Sequence, residues 1–302
     1  MRLPIKAGLL LTAVAVAAIA ITGCSSSSQA PAAGGKISVV ASTDVWGDVA
    51  KQIGGNAISV TSIITDPNQD PHSYEADAQV QLALSHASVV IENGGGYDDF
   101  VDTLLKGANN PKATVLNAVD ISGFAQDSNL NEHVWYDFPT VQKVAAKITA
   151  KLSSLDSANA AVFAANQKKF EAALGTLEAS EAAIKASPAG GSGAAITEPV
   201  PLYLLEACGL VNKTPAKFSE AIENGTDVAP DLLQQTLALF SGHKVKLLSY
   251  NEQTTGPQTE QVLAAAKAAG VAVVPVRETL PAGKDYLAWM TDNIAAVKAA
   301  LQ

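Results

Sequence analysis

Two of the four histidines stand among carboxylates in short loops, and that pairing is raw material for a divalent-metal site. His72 lies in Asp70-Pro71-His72-Ser73-Tyr74-Glu75, and His133 in Asn131-Glu132-His133-Val134-Trp135-Tyr136-Asp137. Pro71 restricts the residue before it and stiffens the turn that presents His72. Neutral imidazole combined with carboxylate suits zinc or manganese better than calcium. Either histidine alone reads as readily as a surface or hydrogen-bonded residue; the recurrence of acids around both favours a metal. His86 ends a helical run, where a cation meets the negative pole of the helix dipole. His243 follows Ser241-Gly242 in a turn. Neither of these two is assigned as a ligand.

Other chemistries leave weaker traces. The chain has no His-Glu-x-x-His helix, nucleophile elbow or phosphate loop. Gly94-Gly95-Gly96 after an apolar run is a lone glycine turn and a weak phosphate cradle. A metallohydrolase would need an open coordination position and a separate base beside the same ligands. Beyond Cys24 the only cysteine is Cys208, so there is no internal disulfide framework and no thiolate cluster. Cys208, within Leu204-Leu205-Glu206-Ala207-Cys208-Gly209, reads as a small buried apolar residue.

These groups must be carried by a fold that begins well inside the chain. Met1 to Lys6 is basic, and Ala7 to Ile21 is an apolar run too short to span a bilayer comfortably, so residues 1–23 read as a signal peptide. The run closes on Ile21-Thr22-Gly23-Cys24, which resembles a lipobox, with Cys24 as the lipidated first residue. Residues 24–35, rich in Ser, Ala and Gly, read as a flexible tether. Several acyl chains on one cysteine would anchor stably where a single chain would not. The formal charge of −9 becomes more negative once Arg2 and Lys6 leave with the leader, which argues against a nucleic-acid partner.

After the tether, Ile37–Ala41 and Ile58–Ile64 read as strands, with a helix at Val45–Ile53 between them; a helix at Ala76–Ser85 and a strand at Ala87–Ile91 follow. Alternation of this kind builds a parallel sheet, whose ligands meet the loops beyond the strand carboxyl ends. From about Thr140 to Ser187 the chain is rich in Ala, Lys, Glu and Gln, with Phe163, Phe170, Leu174, Leu177 and Ile184 on one helical stripe. Strands at 194–196, 245–250 and 271–276, with helices at 258–269 and 285–301, form a second alternating unit. The expected fold is α/β: two Rossmann-like lobes, 36–139 and 189–302, joined by one long rigid helix within 140–188. Such a linker predicts modest lobe movement on ligand binding.

Here the chain resembles the zinc- and manganese-binding receptor lipoproteins of ABC transporters over nearly its whole mature length. Their Asp-Pro-His loop is matched by Asp70-Pro71-His72, and their His-x-Trp segment by His133-Val134-Trp135 with Asp137 following. Thr197-Glu198-Pro199, Tyr250-Asn251-Glu252-Gln253 and Glu278-Thr279-Leu280-Pro281 are also similar to that family. The resemblance implies one metal ion in the interlobe cleft, held by His72 and His133 from the first lobe and Glu198 and Glu278 from the second. Glu278 departs from the commoner aspartate at its position, and Glu252 is the reserve candidate. Glu75, Asp137 and Asn251 are expected to support the ligands or to cap helices. The long histidine-rich loop of many zinc receptors is missing: 121–131 holds no histidine.

On this resemblance the expected protein is a monomeric extracytoplasmic receptor, lipid-anchored at the outer face of the cell membrane. It would capture one Zn(II) or Mn(II) ion as cargo, zinc by preference, and deliver it to an ABC permease with its ATPase. No catalysis is expected. The rival readings are a surface adhesin or interaction lipoprotein with a structural metal and, behind it, a zinc-dependent hydrolase. Proton competition at two ordinary histidines predicts that metal affinity falls below about pH 6.5.

Overall fold

The computed structural model describes residues 35–69, 71–74 and 78–302. The leader, Cys24 and all but the last residue of the tether lie outside the described residues, as do Asp70, Glu75 and the start of the helix expected from Ala76. Among the described residues, no helix is long and apolar enough to cross a membrane.

The first lobe carries β1 (Ile37–Thr43), α1 (Asp44–Gly54), β2 (Ile58–Ile64), α2 (Ala78–Ser85), β3 (Val89–Glu92), α3 (Phe100–Ala108), β4 (Thr114–Asn117) and α4 (Ala118–Ser122). All the strand pairs are parallel, in the order β2-β1-β3-β4. Val39, Val40 and Ala41 of β1 and Val89, Val90 and Ile91 of β3 are buried, as central strands covered on both faces must be. The second lobe repeats the plan with β5 (Gly193–Ile196), α7 (Leu202–Ala207), β6 (Val211–Asn212), α8 (Ala216–Glu223), α9 (Pro230–Ser241), β7 (Leu247–Asn251), α10 (Pro257–Ala268), β8 (Ala272–Val276) and α11 (Tyr286–Ala300). Its order, β6-β5-β7-β8, is again all parallel.

The linking segment is not one helix throughout. It holds α5 (Phe138–Leu155) and α6 (Ala160–Lys185), separated by a 3-10 turn over Ser157–Asn159. Asp156 causes the break, its carboxylate accepting from the Asn159 N–H and capping the new start. The joining helix proper is α6, which packs on α1 and α5 at one end and on α7 and α11 at the other. Its predicted stripe of Phe163, Phe170, Leu174, Leu177 and Ile184 is buried throughout. Through it a single hydrophobic core runs from Val39, Trp46 and Trp135 to Ile196, Tyr286 and Trp289. Cys208 lies in this core, where burial pushes its thiol up to about 12.

Several elements escaped the sequence reading. β4 is four residues and β6 two, both at sheet edges, too short to show a period of two. His133 follows α4 and the loop 123–132, because Asn117 caps α4 immediately after β4, accepting from the Asp120 N–H.

Candidate metal centre

The carboxyl ends of both sheets supply the loops that meet between the lobes, where a doubly wound sheet offers ligands. His72 sits in a 3-10 turn, Pro71–Ser73, beyond β2. His133 immediately precedes the turn Val134–Tyr136 and is fully buried. Glu198 follows β5, and Glu278 follows β8 by two residues; they are 2 % and 1 % exposed, so neither is a solvated loop residue.

Three of the four candidates meet directly, and Glu198 joins them through Asn251. Glu278 Oε2 lies 3.5 Å from His72 Nε2 and 3.6 Å from His133 Nε2, and so stands between the two imidazoles. Asn251, at the end of β7, joins the two carboxylates: its Nδ2 donates to Glu198 Oε2 at 2.5 Å and to Glu278 Oε1 at 2.8 Å. Thr254 donates its hydroxyl to the same Glu198 oxygen. Asn251 thus supports the carboxylates, while the group that orients His133 is Asn131, whose Oδ1 lies 2.7 Å from His133 Nδ1. Nδ1 thus faces Asn131 and Nε2 faces Glu278, so a metal arriving at Nε2 must displace the proton there. Asp137 is a cap, accepting from the Thr140 N–H at the start of α5.

An aromatic wall fixes the imidazole planes. The Tyr97 ring stands edge-on to His72 at 4.9 Å and meets His133 at 5.9 Å, and Trp135 packs on His133 at 5.1 Å. The triple-glycine turn serves this wall. Asp98 accepts from the Asn93 and Gly94 N–H groups at 2.6 and 2.8 Å, so a carboxylate already occupies the nest that a phosphate would need. Asn93 in turn accepts from the Trp46 indole and donates to the Glu132 carbonyl, propping the His133 segment.

Electrostatics set the protons. Burial pulls the His133 imidazole down, but Glu278, Glu132 and Glu223 outweigh it and raise it to about 9. Burial pushes Glu278 up, yet His133, His72 and Asn251 hold it below the usual carboxylate range. Burial, with Glu278 nearby, raises Glu198 to about 8. His133 Nε2 and Glu278 Oε2 are buried without a hydrogen-bond partner among the described residues. Buried polar atoms are rarely left so, and a cation between them would satisfy both.

Not every sequence candidate belongs here. Glu252 is paired with Arg277, with its side chain 41 % exposed, which removes it as a reserve ligand. Two acids the sequence reading passed over do reach the histidines. Donor atoms of His72, Glu132, His133 and Glu223 all lie within 4.8 Å of one another. Glu132 was visible as a neighbour of His133. Glu223, at the end of α8, carried no local signal.

Comparison with known proteins bears on this arrangement. The profile of the ZnuA family, described as zinc-uptake complex component A, periplasmic, matches residues 39–300. The chain belongs to the ZnuA family. A manganese-binding lipoprotein, MntA of Bacillus subtilis, is 29% identical over 174 residues, 56% of either chain. The chain spans about half the length of the curated relatives it matches. Among solved structures, the periplasmic zinc-binding protein TroA of Treponema pallidum superposes with a TM-score of 0.74 at 20% identity, over 88% of this chain and 99% of TroA. A laminin-binding adhesin of Streptococcus agalactiae gives 0.72 at 19%, over 88% and 100%. At these identities the likeness is one of fold: two parallel-sheet α/β lobes.

Proposed function

We propose that this member of the ZnuA family is an extracytoplasmic receptor that captures one divalent transition-metal ion and hands it to an ABC permease. The observation that carries the proposal is the buried meeting of Glu278 with His72 and His133. An isolated carboxylate taken so far from water is costly unless it is paired or coordinates a cation.

His72 and His133 would bind through Nε2, with Glu198 and Glu278 as the carboxylate ligands. Two imidazoles and two carboxylates suit Zn(II) in four-coordination, or Mn(II) when the carboxylates engage both oxygens. Zinc is the preferred reading, because intrinsic affinity at such a site follows the order that places zinc above manganese. Binding and release need no covalent step: the lobes' donors converge on the ion, and the membrane partner separates them. Anchoring through Cys24 at the outer membrane face is supported by the leader pattern and by relatives named as lipoproteins. Mass spectrometry of the membrane-extracted protein is expected to find an acylated Cys24 at its N-terminus.

The test is metal content and calorimetry with Zn(II) and Mn(II) on the parent protein and His133→Ala. One equivalent bound by the parent, weakened at least about a hundredfold in the variant, is the expected result. Binding indifferent to His133 would refute the ligand set. The adhesin-like neighbour shares only the fold, so growth in metal-poor medium against surface attachment after gene deletion separates those two roles.

A further inference from the structure

The buried pair Glu198–Glu278 has an outer counterpart. Glu223 ends α8 with its side chain 15 % exposed, and its Oε1 lies 3.8 Å from His133 Nδ1. That oxygen is itself buried and has no hydrogen-bond partner among the described residues. Glu132 adds a second carboxylate, and both reach the same two imidazoles. The outer side of Glu223 faces water: with Gln69 from one lobe and Thr226, Gln253 and Thr254 from the other, it lines a solvent-open cavity of about 640 Å³. Neither Glu198 nor Glu278 lines that cavity. Thr254 touches both regions, lining the cavity and donating to Glu198.

Carboxylates therefore approach His133 from two sides, Glu278 at Nε2, held on Asn251, and Glu223 at Nδ1, which also lines the polar cavity. A strongly hydrated divalent ion loses water most easily in steps, each lost ligand being replaced by an anionic oxygen. We propose that Glu223, with Glu132, forms an outer station that receives the divalent cation from the interlobe cavity and passes it inward to His72, His133, Glu198 and Glu278. This inference rests on the receptor reading above. It makes Glu223 a residue of capture and release, not a ligand of the stored ion. Removing its charge should slow both association and dissociation and leave the equilibrium nearly unchanged, as a lowered barrier in one path requires.

The experiment is stopped-flow binding of Zn(II) to the full chain in detergent, with a chelating dye reporting free metal, for the parent, Glu223→Gln and Asp231→Asn. Asp231 is an exposed carboxylate in the first turn of α9 and controls for general electrostatic attraction. Glutamine preserves the shape of Glu223, and a thermal melt of each variant checks folding. Association slowed about fivefold or more in Glu223→Gln, dissociation slowed with it and Asp231→Asn unchanged is the expected result. Unchanged rates, equal slowing in Asp231→Asn, or a weaker affinity arising only from faster release would overturn the relay while leaving the receptor intact. A parent that binds no Zn(II) would overturn both.

Discussion

His133 and Glu198 both hold their protons more tightly than free side chains do, His133 to about 9 and Glu198 to about 8. At pH 7 without metal, each is therefore protonated, while Glu278 is ionised and pairs with His133. A divalent cation must displace both protons, so about two are expected to be released per ion bound at pH 7. The sign follows: apparent affinity rises with pH through 8 and towards 9, and falls steadily as pH drops. The onset expected for ordinary histidines, near 6.5, moves upward because carboxylates surround the imidazole. Calorimetry at pH 7 in two buffers of different ionisation heat counts the protons; a count of zero would remove His133 and Glu198 from the ligand set.

At the scale of elements, Glu278 is held from the opposite lobe. Two carboxylates of α1 grip the segment that follows it: Asp44 Oδ1 accepts from the Leu280 N–H at 3.1 Å and Asp48 Oδ2 from the Tyr286 N–H at 2.9 Å. On its other side, the Arg277 carbonyl accepts from the Tyr136 hydroxyl and the Arg277 guanidinium donates to the Pro67 carbonyl. The loop between β8 and α11 thus belongs to one sheet by chain and to the other by hydrogen bonds. Asp48→Ala leaves a backbone N–H without its charged acceptor and should cost about 1–3 kcal/mol in urea unfolding, with weaker metal binding. Asp48→Asn keeps an oxygen acceptor and should recover most of both. Equal loss in the two variants would show that charge, and not the hydrogen bond, sets the loop.

Across the whole molecule, the lobes share one hydrophobic core through α6 and are further joined by Asn131 to the Pro199 carbonyl and by Tyr203 and Tyr286 to the Asn131 and Trp135 carbonyls. Wide hinge opening would expose apolar surface and break these bonds together, so closure on metal is expected to be small. Solution scattering with and without Zn(II) should show the radius of gyration, about 18 Å for a unit of this length, changing by under about 1 Å. A larger compaction would mean that the shared core yields on binding.

Much of this was legible in the chain. The buried strands β1 and β3 are rich in β-branched and aliphatic residues, and the α6 stripe has helical spacing, because burial of a whole face writes a period into the sequence. The two histidines announced themselves by their acidic neighbours, and Glu198 and Glu278 by likeness to a family. The support from Asn251 was expected from the chain; the break at Asp156, the edge strands β4 and β6, and the roles of Asn131 and Glu223 were not legible. The break rests on one local cap and the edge strands are too short to show a period, while Asn131 and Glu223 act through contacts with residues as distant as Pro199 and His133. Local sequence sets which face of an element is buried. Only the tertiary structure decides which polar groups meet when those faces close, because a hydrogen bond between distant segments leaves no period in either.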